Sequence, residues 1–422
     1  MVESRTPILV NEAIQRVMHY AAAGKVEYVP IEAAHGRFLG EALIADHDVP
    51  LFDRSPYDGY AVKAEDTKGA SAETPVELEV VAEIGAGHVY DGAVASMQAV
   101  RIMTGAEIPV GCDAVIMLEE TESTNQNKTV LVKKQCGPRE NITPQGEDTK
   151  EGTVLVQQGT HITPGIIALL ATFGYVRVPV TVRPKVGIIS TGTELLEINE
   201  ALAPGKIRNS NAYMLLAQIE RAGGTPVMLG QFEDDFELCY QKVKQALTEV
   251  DIVLTTGGVS VGDYDYMPAI YEKLGANVLF NKIAMRPGSV TTVAALEGQL
   301  LFGLSGNPGA CFVGFELFVR PIIRANFFVS GVHLRRMKAV LTCDFEKPNP
   351  FYRFVRGQLN NQGEKLTVTN SGLDKTSAVS SLAMADALIV LPGGDQGYHC
   401  GDVVDVLLLH DQRGSIEFGG GN

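Results

Sequence analysis

Three short glycine-containing segments carry the residue types best suited to ligand chemistry. They read STGTE at Ser190–Glu194, TTGGVSVGDYD at Thr255–Asp265 and LSGNPG at Leu304–Gly309, and each follows a short apolar run typical of a buried strand. Glycine lets backbone N–H groups approach a ligand closely, and the neighbouring hydroxyl groups add hydrogen-bonding capacity. The pattern predicts a pocket for a phosphate or nucleotide group. It matches neither a P-loop nor GxGxxG, which argues against ATP-hydrolase and nicotinamide-binding functions.

Carboxylates near these segments indicate a cation as well as an anion. Taken singly, each acidic side chain is more typical of a helix cap or a solvated surface. Taken together, they would repel an anionic ligand unless a cation lay between them. A set of oxygen ligands without a histidine or cysteine cluster favours Mg²⁺ over zinc. The acidic residues are Glu194, Asp234, Asp235, Asp263 and Asp265.

Two basic residues accompany this acidic group, Lys282 and Arg286 in the run NKIAMRPG. Arg286 precedes a Pro287-Gly288 turn, where a guanidinium group could hold a tetrahedral oxyanion through two hydrogen bonds. An interpretation of both residues as ordinary surface cations has comparable weight on these observations alone.

The elements that must position these side chains alternate between strand-like and helix-like runs from Arg183 to Phe328. This alternation predicts βαβ units in a central, doubly wound, mostly parallel α/β sheet. The carboxyl ends of parallel strands open onto one edge of a sheet, so the three glycine segments should converge there.

Composition along the chain predicts four domains. An α/β substrate-binding domain takes residues 1–25 and 180–328, and a small linking domain takes 26–44 and 153–179. A β-rich inserted domain takes 45–152, and a C-terminal β-barrel-like domain takes 335–412. The glycine-rich tail GSIEFGGGN is predicted to be disordered.

Charge and cysteine usage limit the classes of partner. The 422 residues carry a formal net charge of −15, which argues against broad contact with nucleic acid or an anionic membrane surface. The six cysteines show no CxxC spacing, and several lie in apolar runs, as buried thiols do. The N-terminus does not read as a signal peptide, and no apolar run approaches the length of a membrane span. We therefore expect a cytoplasmic protein.

The motifs DRSPYDGYAV, RIMTGAEIP, STGTEL, TTGGVSVGDYD, RPG and SGNPG occur in the order found in one known family. Over about residues 5–410 the chain resembles the MoeA type of molybdopterin molybdotransferase, which is related to the E domain of gephyrin. The resemblance implies an enzyme of molybdenum cofactor synthesis. Such an enzyme takes adenylylated molybdopterin and molybdate, and releases AMP and molybdenum cofactor with Mg²⁺ present. It also implies a homodimer of four-domain subunits with a cleft shared between subunits, and possible contact with the adenylyltransferase partner.

The resemblance, together with the glycine segments and the Pro-Gly turn, assigns roles to individual residues. Residues matching positions linked to activity are Asp58, Thr104, Asp148, Glu194 and Asp265, of which Glu194 and Asp265 would hold Mg²⁺. The substrate-binding residues are Ser190, Thr191, Gly192, Asp234, Thr256, Gly257, Gly258, Ser260, Gly262, Lys282, Ser305, Gly306, Asn307 and Pro308. The molybdate-binding residues are Arg286, Pro287, Gly288, Arg356, Thr376 and Ser377.

The sequence departs from the family pattern in the molybdate subsite. The usual KPGKP reads RPGSV, which places Arg286 and Ser289 where lysines are usual, and LPGNPVS reads LSGNPGA, which places Ala310 where a serine is usual. Arginine keeps the charge and suits a bidentate oxyanion contact. Thr376 and Ser377 could replace the missing hydroxyl, and the choice between molybdate and tungstate stays open.

Two other functions remain open on the sequence. An adenylyltransferase that forms the adenylylated pterin shares the GGVSVGD loop, but it lacks the β domain with Asp58 and Thr104. A non-catalytic scaffold of the gephyrin type would have no need of the carboxylates and cations that this chain retains.

Overall fold

The computed structural model describes residues 6–232, 235–258, 266–363 and 365–418. These residues form two compact units. The first comprises the described parts of Met1–Glu41, Gln158–Ala168 and Val176–Asn422, and the second comprises Ala42–Gln157 and Leu169–Tyr175. The boundaries of the four predicted domains stay a prediction.

Twenty-four strands and eight α-helices occur in the described residues. The strands are β1 (Val26–Pro30), β2 (Leu43–Ile44), β3 (Gly59–Val62), β4 (Val76–Ile84), β5 (Gln98–Ile102), β6 (Ala114–Met117), β7 (Thr121–Thr124), β8 (Thr129–Val132), β9 (Val154–Val156), β10 (Arg177–Thr181), β11 (Lys185–Thr191), β12 (Leu195–Leu196), β13 (Ile207–Arg208), β14 (Thr225–Phe232), β15 (Ile252–Thr256), β16 (Asn277–Phe280), β17 (Met285–Arg286), β18 (Thr292–Leu296), β19 (Gln299–Leu304), β20 (Arg335–Leu341), β21 (Tyr352–Gln362), β22 (Lys365–Asn370), β23 (Ala387–Leu391) and β24 (Val403–Leu408). The helices are α1 (Val10–Met18), α2 (Pro164–Thr172), α3 (Ser210–Ala222), α4 (Phe236–Ala246), α5 (Met267–Lys273), α6 (Pro308–Gly314), α7 (Arg320–Ala325) and α8 (Ser380–Ala383). A π-helical segment, Phe315–Val319, joins α6 to α7.

The largest sheet of the first unit has the order β14-β11-β15-β19-β18-β16. The first four strands are parallel, whereas β18 is antiparallel to both of its neighbours. This confirms the predicted mostly parallel sheet. The sequence analysis did not identify β18, which forms a hairpin with β19 through Glu297 and Gly298, both at positive φ.

Helices cover both faces of this sheet. Val186 and Ile188 of β11 pack into a core with α1, α3 and the segment from α6 to α7, whereas Ile189 packs into a second core with α4 and α5. Successive side chains of a strand point to opposite faces, so a strand buried on both sides reads as a continuous apolar run. The doubly wound arrangement is confirmed.

A closed barrel forms the C-terminal part of the first unit. Its five strands pair in the order β21-β22-β20-β24-β23, and a further pairing of β21 with β23 closes the ring. The short strand β17 joins the outside of this ring, with Met285 opposite Tyr352 and Arg286 opposite Arg353. β17 therefore brings Arg286 beside a strand of the barrel.

The prediction of a disordered tail is wrong for residues 414–418, which the structure describes. The backbones of His333 and Ser415 exchange two hydrogen bonds, with N···O distances of 3.1 and 2.9 Å. The ring of Phe418 lies 6.1 Å from that of His333 and 6.4 Å from that of Phe354, centroid to centroid. Apolar burial and backbone pairing order this segment despite the glycines that surround it.

The second unit is built on a six-stranded sheet in the order β6-β3-β5-β4-β8-β7. Only β4 and β5 are parallel in the sheet. Tyr60 and Val62 of β3 pack on one side and Ala61 on the other, each in its own apolar cluster. The expectation of β-rich structure in this region is confirmed. Of the helices in the described residues, none has the length and apolar character needed to cross a membrane.

Candidate functional site

The three glycine segments lie at the ends of adjacent parallel strands. β11, β15 and β19 are neighbours in the sheet, so their carboxyl ends open onto the same edge. A Cβ atom on Gly257, whose φ is 96°, would lie 2.4 Å from the carbonyl oxygen of Thr191, so only glycine fits there. The N–H of Gly257 also donates to the carbonyl oxygen of Leu304 over 3.1 Å. The predicted convergence is present for the parts of the three segments that the structure describes, which are Ser190–Glu194, Thr255–Gly258 and Leu304–Gly309.

Asn211 holds two of these segments together. Its Nδ2 donates to Oγ1 of Thr256 and to the carbonyl oxygen of Gly306, both at 2.9 Å. The sequence analysis missed this role. A buried asparagine in the first turn of α3, two residues after the N-cap Asn209, was the available signal, because a buried amide needs polar partners.

Several buried polar atoms at this edge have no hydrogen-bond partner among the described residues. They are Oγ of Ser190, Oγ1 of Thr191 and Oδ1 of Asn211. Buried polar atoms are nearly always hydrogen-bonded in folded proteins. Three such atoms at one strand edge are therefore consistent with a polar ligand that supplies the missing partners.

Of the two predicted metal ligands, Glu194 belongs to the described residues and Asp265 does not. Glu194 is exposed, and its Oε2 would lie 2.5 Å from a Cβ atom on Gly192, so the carboxylate is folded back over the first glycine segment. Four predicted site residues lie outside the described residues: Asp234, Ser260, Gly262 and Asp265. Among the described residues there is no cluster of three His, Cys, Asp or Glu side chains that could hold a metal. A shared ion on Glu194 and Asp265 stays a prediction.

A cavity of about 470 Å³ lies beside the third glycine segment and is also lined by residues of the barrel. Its charged lining residues are Arg286, Lys347, Arg353, Arg356 and Asp374. Four cations against one carboxylate give the lining a formal charge of +3, which suits an anion.

Most of the predicted molybdate-binding residues line this cavity. They include Arg286, Pro287, Gly288, Arg356 and Thr376, together with Ser305 and Asn307 of the third glycine segment. The departures from the family pattern, Ser289 and Ala310, line it as well. The described residues that line the cavity do not include Lys282, Gly306, Pro308 or Ser377.

Arg356 is the most deeply buried cation of the cavity, with 2% of its surface exposed. Nε donates to Oγ of Ser381 over 3.1 Å, and Nη2 donates to the carbonyl oxygens of Leu373 and Lys375 over 3.2 and 3.0 Å. Nη1 lies beside α6, 3.1 Å from the position of a Cβ atom on Gly309. Burial lowers the pKa of the Arg356 guanidinium, but a guanidinium stays charged in proteins. The group is thus held in one orientation by the protein.

Lys347, Arg353 and Asp374 are cavity residues that the sequence analysis missed. Arg353 stands only three residues before Arg356 on β21, and Lys347 precedes a Pro-Asn-Pro turn, which were the only local signals. Charged residues at such positions are usually solvated, so sequence alone does not separate them from ordinary surface charges.

Two predicted site residues of the second unit form a hydrogen-bonded pair. Oδ1 of Asp58 accepts from the backbone N–H of Thr104 over 2.7 Å and from its Oγ1 over 2.8 Å. These bonds, together with the charge of Arg101, lower the pKa of the Asp58 carboxyl below its usual value. Asp58 is therefore ionised at neutral pH and can act as a proton acceptor or an electrostatic anchor.

Asp148, a third predicted site residue of this unit, lies on another loop and is exposed. Its backbone N–H donates to the carbonyl oxygen of Val49.

The Thr104 hydroxyl provides a direct test of this pair. We expect Thr104→Val to raise the pKa of Asp58 toward its usual value, because one of two bonds to the carboxylate is lost while the backbone bond remains. Since the folded-state pKa is lowered, the stabilisation is present at neutral pH and is lost as the pH falls through the folded-state pKa. NMR titration of the carboxyl carbon measures the shift. Thr104→Ser, which keeps the hydroxyl, should leave the pKa of Asp58 unchanged. An unchanged pKa of Asp58 in Thr104→Val would contradict the hydrogen bond from the Thr104 hydroxyl.

Three family models match successive parts of the chain. Residues 8–174 match the MoeA N-terminal region (domain I and II), and residues 187–325 match a probable molybdopterin binding domain. Residues 338–409 match the MoeA C-terminal region (domain IV). Together these models span both glycine-rich and barrel parts of the candidate site.

Relatives in several organisms match the chain over nearly its whole length. The molybdopterin molybdenumtransferase of Bacillus subtilis is 55% identical over 417 residues, covering 98% of this chain and 97% of that protein. The protein of the same name from Staphylococcus aureus is 47% identical, covering 99% of each. A crystal structure of a MoeA protein of molybdopterin biosynthesis from Pyrococcus horikoshii is 30% identical with a TM-score of 0.86, covering 96% of this chain and 99% of that one. A second structure from that organism is 32% identical with a TM-score of 0.81, covering 96% and 100%.

Proposed function

The chain belongs to the MoeA family of molybdopterin molybdenumtransferases, and from this premise we propose that it inserts molybdate into adenylylated molybdopterin with Mg²⁺-dependent release of AMP. The observation that carries the proposal is the cationic cavity directly beside the third glycine segment. The cavity would hold the oxyanion, and the strand edge would hold the phosphate-bearing pterin.

The charge and size of the cavity support an anionic occupant. Arg286, Arg353 and Arg356 present guanidinium groups, whose planar set of donors matches oxyanion geometry. The volume of about 470 Å³ falls in the range of small-molecule sites, roughly 300–1,000 Å³. It therefore has room for the reacting end of the pterin next to the oxyanion.

The edge of the sheet at which β11, β15 and β19 end is suited to binding the phosphate part of the substrate. Backbone amides of the glycine segments, with the unpartnered hydroxyls of Ser190 and Thr191, would donate to phosphate oxygens. The exposed carboxylate of Glu194, together with Asp265, would supply oxygen ligands of the kind that Mg²⁺ prefers. When bound, Mg²⁺ would neutralise phosphate charge as a Lewis acid.

The proposed reaction has two parts. Water adds to the adenylyl phosphorus as the P–O bond to the pterin phosphate breaks, which gives AMP and the pterin phosphate. Two dithiol sulfurs then bind molybdenum, and one oxide of molybdate leaves as water with the two thiol protons. Arg286 and Arg356 hold the oxyanion in this scheme, and ionised Asp58 accepts a proton or orients the water.

The proposal includes a homodimer in which the Asp58–Thr104 pair of each copy serves the cavity of the other copy. The family resemblance of the DGYA and TGA motifs supports this part. We also propose a cytoplasmic location and transient contact with the adenylyltransferase that makes the substrate.

The two rival functions lead to different products. An adenylyltransferase would convert Mg-ATP and metal-free molybdopterin to adenylylated molybdopterin, and a scaffold would convert neither substrate. The matches of the chain to MoeA regions on both sides of the molybdopterin-binding part favour the molybdotransferase.

Purified protein given adenylylated molybdopterin, molybdate and Mg²⁺ is expected to release AMP in step with cofactor formation, measured by chromatography. Chelation of Mg²⁺ with EDTA should stop AMP release, and re-addition of Mg²⁺ should restore it. Accumulation of adenylylated pterin from Mg-ATP and molybdopterin, with no molybdate-dependent AMP release, would favour the adenylyltransferase instead. Replacing molybdate by tungstate in the same assay measures the oxyanion preference.

A further inference from the structure

Asp374 lies between two of the guanidinium groups that line the cavity. Its Oδ2 accepts a hydrogen bond from Nη2 of Arg353, and its Oδ1 is 3.7 Å from Nη2 of Arg356. The side chain of Asp374 is 22% exposed, against 2% for Arg356 and 26% for Arg353. One partly buried carboxylate thus contacts two cations of the same cavity.

The backbone around Asp374 completes the contact with Arg356. The carbonyl oxygens of Leu373 and Lys375, on either side of Asp374, both accept from Nη2 of Arg356. Nε is engaged by Ser381, which leaves Nη1, beside Gly309, without a hydrogen bond to any described residue. The segment 373–375 therefore fixes the guanidinium plane and leaves one of its amino groups for a ligand.

We propose that Asp374 is a positioning residue that orients Arg353 and Arg356 for the oxyanion, so that removing its charge weakens oxyanion binding. This inference rests on the proposed function, since it takes a tetrahedral oxyanion as the occupant of the cavity.

Removing the Asp374 carboxylate would change the affinity of the cavity for an oxyanion through two effects that oppose each other. Removing the carboxylate raises the formal charge of the lining from +3 to +4, which by Coulomb attraction alone would tighten anion binding. Loss of orientation acts the other way, because bidentate recognition depends on the guanidinium plane. Arg353, which is only one quarter exposed, would also lose its ion-pair partner. The side chains of Asp374 and Arg353 are 22% and 26% exposed, so water and salt screen the gain in charge and the loss of orientation dominates.

Titration calorimetry with molybdate, and in parallel with sulfate, tests the inference on the full-length protein. Asp374→Asn is expected to bind molybdate about tenfold more weakly than the wild type, a change of the order that follows from losing one oriented charge-assisted contact. Glu346→Gln is the matched control, because Glu346 lies in the neighbouring surface depression with Asp374 and has no hydrogen bond to a guanidinium group in the described residues. It should bind molybdate as tightly as the wild type or slightly more tightly. Asp374→Glu should recover part of the lost affinity.

Steady-state assays separate positioning from a general loss of structure. Asp374→Asn should raise the KM for molybdate while kcat at saturating molybdate changes little. Equal or tighter binding of molybdate by a folded Asp374→Asn variant would overturn the inference. If that variant does not fold, Arg353→Lys decides the question, because it keeps every charge and removes only the planar donor set. A lysine variant that bound molybdate unchanged would overturn the inference as well.

Comparing the binding of molybdate with that of sulfate separates the positioning role of Asp374 from the proposed function of the protein. Wild-type protein that binds sulfate but not molybdate, with weaker sulfate binding in Asp374→Asn, would refute the oxyanion identity and support the positioning role. Wild-type protein that binds neither anion would refute both.

Discussion

Replacing Arg356 by lysine is expected to lower kcat/KM for molybdate by about a hundredfold, the size of effect that a small misplacement of a reacting group can produce. Lysine keeps the positive charge, but it cannot reproduce the planar donor set that contacts Leu373, Lys375 and Ser381 at once. The ammonium group would have no fixed direction toward the oxyanion. Charge in the cavity would be conserved while geometry is lost.

Molybdate-dependent AMP release at a series of molybdate concentrations measures this change. Arg336→Lys is the control, because Arg336 is an arginine of the same barrel that pairs with Asp405. It should leave kcat/KM unchanged. Because Arg356 is buried, thermal unfolding of both variants must accompany the assay. A folded Arg356→Lys variant with unchanged kcat/KM for molybdate would remove Arg356 from the oxyanion site.

Replacing Asp58 by asparagine is expected to lower turnover by about 10²–10³-fold, within the range that a positioned proton acceptor contributes. The amide oxygen of asparagine can still accept both bonds from Thr104, so the loop geometry should persist. Only the charge and the capacity to accept a proton are lost. The effect should therefore fall on kcat rather than on thermal stability.

Asp91→Asn is the control for Asp58, because it neutralises an exposed aspartate of the same unit.

The proposed cleft shared between two copies can be tested by measuring the activity of mixed dimers. Asp58→Asn and Arg356→Lys copies mixed before assembly should regain about a quarter of wild-type activity, because half of the dimers would be mixed and each would hold one intact site. No recovery on mixing would argue for a site formed within one copy, and full activity of Asp58→Asn alone would exclude its chemical role.

The sequence by itself predicted much of the fold. The β-like run VELEVVAEI coincides with β4, and the apolar runs before the glycine segments became β11, β15 and β19. These elements were predictable because strand formation in a buried sheet depends mainly on local apolar composition and on glycine at the strand ends. The hairpin strand β18 was missed, since its short apolar run, TVAAL, has no clear period to separate it from the strand that follows.

The sequence also identified the residue types of the candidate site through its glycine segments and motif order, but not the side chains that complete it. Asp58 and Thr104 are brought together because β3 and β5 pair with Gly59 opposite Ile102, and Arg286 reaches Arg353 because β17 pairs with β21. Lys347 and Asp374 join the cavity from loops whose local sequence is that of an ordinary solvated surface.

What the sequence determined, then, is where strands and glycine turns form, because those properties follow from neighbouring residues. Only the tertiary structure decided which distant charges share a cavity. Distances such as the 3.7 Å between Asp374 and Arg356 depend on strand register and barrel closure, to which every strand of the ring contributes.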